Sequence, residues 1–250
     1  MIKNISIVIM AKDAQETIEE TLESLKAFPE VILYLNNSSD QTETIAKSYP
    51  NVKVVQGEFL GFGKTKNMAA SHATNAWVFS LDSDEIIPPA LQKELESLSL
   101  ENPKALFRLK RANYFLDKEV KHSGWGKDWL VRLYNQEHHS FNDNQVHEFI
   151  PPKDDSLLID LKNPFKHNAV QNINQFLEKV IRYSDLAAKG KKTCFFSVVI
   201  LKSLFAFFKT YFLQLGFLDG WRGFVISISN FNGKFFRYTK RYIHCKQIKK

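Results

Sequence analysis

The sequence has almost no cysteine: Cys194 and Cys245 are the two in 250 residues. Two thiols cannot build a disulfide framework or fill a zinc site of the usual ligand count, and they fit a reducing compartment. Long apolar runs are missing too. The opening segment offers six residues, Ile5 to Met10, before Lys12 and Asp13, too few for the apolar region of a signal peptide. Phe195 to Leu218 is broken by Lys202 and Lys209 and falls short of the ~18 uninterrupted apolar residues expected of a membrane span. Acidic residues are nearly absent from the last quarter. Residues 186–250 hold 13 basic side chains and 1 acidic one, whereas residues 1–185 hold 21 and 26. The net +7 is therefore the difference between a slightly acidic body and a strongly basic tail, and 15 of the aromatic residues crowd between Phe195 and Tyr242. There is no internal repeat and no low-complexity stretch, and 44% hydrophobic residues suffice for a large core, which excludes a mostly disordered chain.

The first hundred residues alternate strand and helix signals. Ile5–Met10, Val31–Leu35, Val52–Val55 and Trp77–Leu81 are short, β-branched or apolar runs suited to buried parallel strands. Between them, Ile18, Leu22 and Leu25 share a helical face that Pro29 ends, Asp40 with Glu43 offers a capping box, and Lys64 to Thr74 reads as a helix after the loop Gly57–Gly63. Pro88 and Pro89 open another helix carrying Leu91, Leu95 and Leu98. Repeated βαβ units predict an α/β fold, a parallel sheet with helices on both faces. From Ala105 to Ile159 the strands are shorter and richer in Trp, His, Asn and Asp; from about Gln171 the pattern is helical.

In such a sheet, ligands bind beyond the carboxyl ends of the strands. The most informative of these ends is the fourth, where Val78–Leu81 runs into Asp82-Ser83-Asp84. Two carboxylates at i and i+2 just past the sheet suit Mg²⁺ or Mn²⁺, hard cations that take oxygen ligands from carboxylates, phosphates and water. The loop Gly61-Phe62-Gly63-Lys64-Thr65-Lys66-Asn67 leads into a helix start with two lysines, an arrangement that can approach a diphosphate. Its spacing is not that of a nucleoside-triphosphatase loop.

With these in place, an ordered set of segments resembles the inverting family-2 glycosyltransferases of the GT-A fold, and more narrowly the bacterial enzymes that add glucose to the lipopolysaccharide inner core. The set comprises Ser38–Thr42, Gly61-Phe62-Gly63 with Lys66-Asn67, Trp77 with Leu81–Glu85, Lys121–Trp125, Arg132-Leu133-Tyr134, Val146-His147-Glu148, and Gly216–Gly220 with Gly223-Phe224. The resemblance implies a Rossmann-like, mostly parallel sheet and a C-terminal helical region. It divides the chain into a catalytic domain over 1–165 (a nucleotide-sugar half to residue 100, an acceptor-facing half after it) and a tail over 166–250. It implies a UDP-sugar donor held by Lys12, Asp13, Asn36, Asp40, Lys66, Asn67 and Asp82, and a Mg²⁺ or Mn²⁺ ion held by Asp82, Asp84 and His147, with Asp84 the more direct ligand. Two departures stand in that pocket: Leu35 occupies a position where the family usually has Asp, and Ala11-Lys12-Asp13-Ala14 replaces the usual Thr-Lys-Asn-Glu. Asp13 or Asn36 would have to take over from the missing carboxylate.

Inverting transfer needs a base for the acceptor hydroxyl. Glu148 is the first candidate, Asp128 the second and Glu85 the third. Trp125 and Trp129 are candidates for stacking on a sugar ring, while His122, His138, His139 and His167 lack metal-ligand spacing and read as polar surface or hydrogen-bonding groups. In the tail, Phe195–Leu215 reads as one helix, and the interleaved aromatics and cations that follow suit an anionic membrane interface. No nucleic-acid recognition motif accompanies them. The expectation is a cytoplasmic enzyme, peripheral on the inner membrane, that moves glucose from UDP-glucose to a lipid-linked core oligosaccharide. Its rivals are transfer to another surface glycan, a nucleotidyltransferase (whose glycine- and arginine-rich loop after the first strand is missing here), and a non-catalytic membrane adaptor.

Overall fold

The β-branched runs do form the centre of a sheet. In the computed structural model, which describes residues 2, 4–144 and 148–247, the elements in chain order are β1 (Ile5–Ala11), α1 (Ile18–Glu23), β2 (Glu30–Leu35), α2 (Thr42–Lys47), β3 (Val52–Gln56), α3 (Phe62–Ala70), β4 (Trp77–Asp82), β5 (Glu85–Ile86), α4 (Pro89–Glu96), β6 (Ala105–Phe115), β7 (Lys118–Glu119), β8 (Trp129–Asn135), β9 (Leu157–Asp160), β10 (Phe165–Val170), α5 (Ile173–Ala188), α6 (Phe196–Phe208) and α7 (Gly220–Gln247). They divide into two units: residues 1–111 with 128–167, and residues 112–127 with 168–250. Residues 112–127, expected in the acceptor-facing half, thus belong with the C-terminal helices.

In the first unit, β3, β2, β1 and β4 lie parallel in that order, with Val8 opposite Ile32 on one side and Ser80 on the other. Beyond β4 the sheet turns mixed: β8 runs antiparallel to β4, β6 antiparallel to β8, and β9 parallel to β6. The two-residue β5 pairs with the start of β10, placing His167 opposite Glu85. Alternation along β1 sends Ile5, Ile7 and Ile9 to a core shared with Ile18, Leu22 and Leu91, and Val8 to the other face with Ala69, Ala70 and Tyr134. Helices therefore cover both faces, as expected. Leu35 lies fully buried in the first of these cores.

Two local expectations change. The capping box does not form. Glu43 turns to Gln56 and Lys47, while Asp40 accepts from the Thr42 amide (3.0 Å), the Thr42 hydroxyl and, across the loop, the Gln15 amide (2.9 Å). Burial opposes the Asp40 charge, but these donors outweigh it and hold the carboxyl below its ordinary value of 3.8. Asp40→Ala is expected to cost about 1 kcal/mol in urea unfolding. A lowered carboxyl contributes its stability above the unfolded pKa and loses it as pH falls through the folded one. The gap between wild type and variant should accordingly close below about pH 3.8. The other change is at α3, which runs over Phe62–Ala70 rather than 64–74.

In the second unit, Phe115, Val120, Val170 and Ile226 form a small core. Trp125 packs against Phe115 and Phe176, so its ring fills this cluster instead of standing open as a sugar platform. The helix predicted over Phe195–Leu215 is two pieces, α6 and a π-turn over Lys209–Leu213, after which Leu215 takes a left-handed φ of 55°. A short 3₁₀ turn, Gly216–Asp219, leads into α7. A Cβ at Gly223 would stand 1.8 Å from the Gly216 carbonyl oxygen, so this close approach requires glycine. Cys194 and Cys245, expected as free thiols, are joined in a disulfide because α6 and α7 pack side by side. By length and composition alone, Phe196–Leu213 is also apolar enough to cross a membrane, which the requirement for an unbroken run had excluded.

Candidate active site

The carboxyl ends of β1, β2 and β4 converge on the first unit's candidate site. Asp82 ends β4, and its amide is held by Glu85 Oε2 at 2.9 Å, which folds Asp82–Glu85 into a tight turn. Its two carboxylate oxygens go to different cations: Oδ1 to Lys66 Nζ of α3 at 2.9 Å, Oδ2 to Arg132 Nη2 of β8 at 3.0 Å. Lys66 Nζ also meets Glu148 Oε1 at 2.9 Å. Arg132 Nη2 also meets Glu85 Oε1 at 2.6 Å, and Arg111 reaches the same oxygen at 3.5 Å while gripping Asp128 Oδ2 with Nε and Nη2 at 2.8 and 2.7 Å. Charges thus alternate from Glu148 through Lys66, Asp82, Arg132, Glu85 and Arg111 to Asp128.

Burial sorts these groups. Lys66, Arg132 and Glu85 are buried, while the Asp82 and Glu148 side chains keep 34% and 17% of their surface in solvent. Burial disfavours the Asp82 charge, but Lys66 and Arg132 outweigh it and hold this carboxylate well below the usual range. Glu85 is pushed up by burial, against the pull of Arg132 and with the help of Asp82. Arg132 is held charged, burial notwithstanding, by Glu85 and Asp82; its Nε is buried with no partner among the described residues.

Glycine again permits the approach that places Lys66. A Cβ at Gly63 would lie 1.8 Å from the Asn142 carbonyl oxygen, so α3 reaches the 141–144 segment only without a side chain there. Asn67 then clamps that segment, donating to the Phe141 carbonyl at 2.9 Å and accepting from its amide at 2.8 Å. Asn67, expected at the ribose or diphosphate, uses both ends of its amide on this backbone unit. Lys66 lies 5.3 Å over the Phe141 ring.

Asp84 faces a group that sequence spacing passed over. The pairing of β5 with β10 brings His167 Nε2 to 3.5 Å from Asp84 Oδ2. One carboxylate and one imidazole, completed by phosphate oxygens and water, suit a divalent ion such as Mn²⁺ or Mg²⁺. No three His, Cys, Asp or Glu side chains are placed to hold a metal ion together among the described residues. Asp82, expected as a second ligand, has both oxygens engaged by cations; His147 lies outside the described residues.

At the ends of β1 and β2, Asp13 accepts from the Ser39 amide and hydroxyl at 2.8 and 3.2 Å, and its own amide donates to Ser38. Asp13 and Asp40 together lace these two loops. Lys12 is exposed and Asn36 half-buried, its amide on the Ala11 carbonyl. Among the candidate bases, Glu85 is fully buried and cannot meet an acceptor, and Asp128 is gripped by Arg111. Trp129 remains exposed, with Arg108 over its ring. A shallow cavity of about 460 Å³ between Pro29, Pro50, Asn51 and Asn75 contains none of these groups.

Residues 6–153 match the model of glycosyl transferase family 2. The chain belongs to this family. An uncharacterised glycosyltransferase of Rickettsia typhi is 28% identical, covering 95% of this chain and 86% of that protein. The lipopolysaccharide core biosynthesis glycosyltransferase LpsC of Rhizobium meliloti is 23% identical over 87% of this chain and 83% of its own. Among solved structures, S. aureus TarS 1–349 covers 98% of this chain and 88% of its own at 16% identity, with a TM-score of 0.46. This family 2 glycosyltransferase has the parallel half-sheet and mixed extension of a GT-A fold, and its enzymatic class is glycosyl transfer.

Proposed function

We propose that this enzyme transfers a hexose, glucose from UDP-glucose, to a sugar of a lipid-linked lipopolysaccharide or lipooligosaccharide core, with inversion, at the cytoplasmic face of an anionic membrane. The observation that carries the catalytic part is Lys66, buried between Asp82 and Glu148 at 2.9 Å from each. A donor diphosphate arriving at the ends of β1, β2 and β4 offers Lys66 a stronger partner than either carboxylate. Glu148 is then released to act as base, taking the acceptor proton as the acceptor oxygen bonds to the anomeric carbon. The bond from that carbon to the diphosphate breaks, and UDP leaves with the electron pair, its charge met by Lys66. Asp82 and Arg132 keep Lys66 in place, while the Asp13–Ser39 and Asp40–Gln15 ties shape the loops for the nucleotide. Asp84 and His167 are the residues to hold a divalent ion, which when bound neutralises charge on the departing diphosphate. The core acceptor is supported by the segments quoted above and by the name of the Rhizobium relative.

UDP release from a panel of UDP-sugars, with and without Mn²⁺, tests this reading. Release is expected from UDP-glucose; release of pyrophosphate instead, or no release from any donor, would overturn it. Asp84→Ala and His167→Ala should each raise the Mn²⁺ concentration needed for half-maximal release by about 10-fold or more, the loss typical of a weakened metal site.

A further inference from the structure

We propose that the chain docks on an anionic bilayer through the outward face of α6 and its π-turn, with the helix lying in the plane of the membrane interface rather than crossing it. The proposal takes from the reading above only that the partner is a membrane. Val199, Ser203, Ala206 and Thr210 form the buried face of this helix, packed on α7, with Asn230 donating to the Thr210 hydroxyl at 2.9 Å. On the opposite face Leu201, Leu204, Phe205, Phe208 and Phe212 fall at helical spacing, each about half exposed or more. Over Phe196–Leu213 the mean hydropathy is 1.6 and only 17% of the segment is buried. A contiguous apolar face of this kind marks an interaction surface.

Charge selects its occupant. Lys202 and Lys209 are exposed and, seven residues apart, lie together along one flank of the apolar stripe. Lys189, Lys191 and Lys192, also exposed, precede the helix. The single acid of residues 186–250, Asp219, is turned inward with its side chain 5% exposed, receiving the amides of Lys121 and His122 and the Ser123 hydroxyl. A second copy on this face would set cation against cation. An anionic headgroup layer complements it, each lysine near such a surface contributing about fivefold in affinity.

Orientation follows from the same residues. Spanning would place Lys202 and Lys209 within the hydrocarbon, where a lysine is strongly disfavoured. It would also draw in α7, which packs along α6 and carries Lys234, Arg237 and Lys240. Lying flat, the helix inserts the stripe, leaves both lysines at headgroup depth and keeps α7 on the aqueous side.

Flotation of the full-length protein with phosphatidylcholine vesicles, with and without phosphatidylglycerol, tests this. Binding is expected to need the anionic lipid and to weaken with salt. Leu204→Glu with Phe208→Glu should lower it at least tenfold, and Lys202→Gln or Lys209→Gln about fivefold each. Bound protein should be released by alkaline carbonate. Flotation unchanged in the Leu204/Phe208 variant, or a variant that only turns a dimer into a monomer, overturns the docking face; retention through carbonate overturns the flat orientation. UDP affinity and thermal unfolding of each variant show that the protein is intact. Loss of flotation in variants of a protein whose wild type releases UDP from no sugar nucleotide would leave the docking face standing and remove the catalytic reading.

Discussion

Glu148→Gln is expected to lower glycosyl transfer by about 10²–10⁴-fold, the range for removing a positioned general base, while leaving the affinity for UDP unchanged. Glutamine keeps the size of the side chain and an oxygen for Lys66, but it cannot take a proton at neutral pH. The loss should therefore appear in kcat and not in KM for the donor. If Glu148 served only to position Lys66, the substitution would weaken UDP binding and spare kcat, so the two roles separate in one experiment. The same measurement on Asp128→Asn, whose carboxylate is gripped by Arg111, is expected to show the smaller effect on kcat.

Arg132→Met should give the largest loss of stability, about 3–5 kcal/mol in urea unfolding. The guanidinium is buried and faces both Asp82 and the fully buried Glu85, so methionine fills part of the volume while leaving Glu85 without its closest cation. Adding Glu85→Gln to Arg132→Met should recover much of the loss, because removing both members of a buried pair costs far less than removing one. No recovery would mean that Arg132 acts mainly through packing, for instance over the Phe165 ring 5.3 Å away. The single variant should also be impaired in transfer, since Asp82 would keep only Lys66 to hold it.

What the sequence made legible was local. Short β-branched runs with helical periodicity between them located β1 to β4, and Asp82 and Asp84 were visible because a strand ends in them. Lys66 was visible from its place at the start of α3, but its function as a bridge was not, since Glu148 lies far along the chain and only the Gly63–Asn142 approach brings it near. Arg132 stood in a segment of the resemblance and His167 read as a polar surface or hydrogen-bonding group, but the partners of both were hidden for the same reason. The antiparallel pairing of β8 with β4 and of β10 with β5 is set by tertiary packing, and neither residue carries a spacing signal of its own. The tie of Asn67 to the Phe141 backbone was hidden in the same way, because its two hydrogen bonds go to one unit far along the chain. The cysteines misled because two thiols in 250 residues say nothing about whether α6 and α7 lie side by side.

The stereochemistry and acceptor of the reaction decide whether this enzyme is an inverting core glucosyltransferase. Incubated with UDP-α-glucose, Mn²⁺ and a lipid-linked core oligosaccharide, the wild-type enzyme is expected to form a β-glucosidic product and release UDP in equal amount, with Glu148→Gln forming neither at a comparable rate. An α-linked product, or UDP release that never yields a glycosylated acceptor, would exclude inverting transfer to the core oligosaccharide.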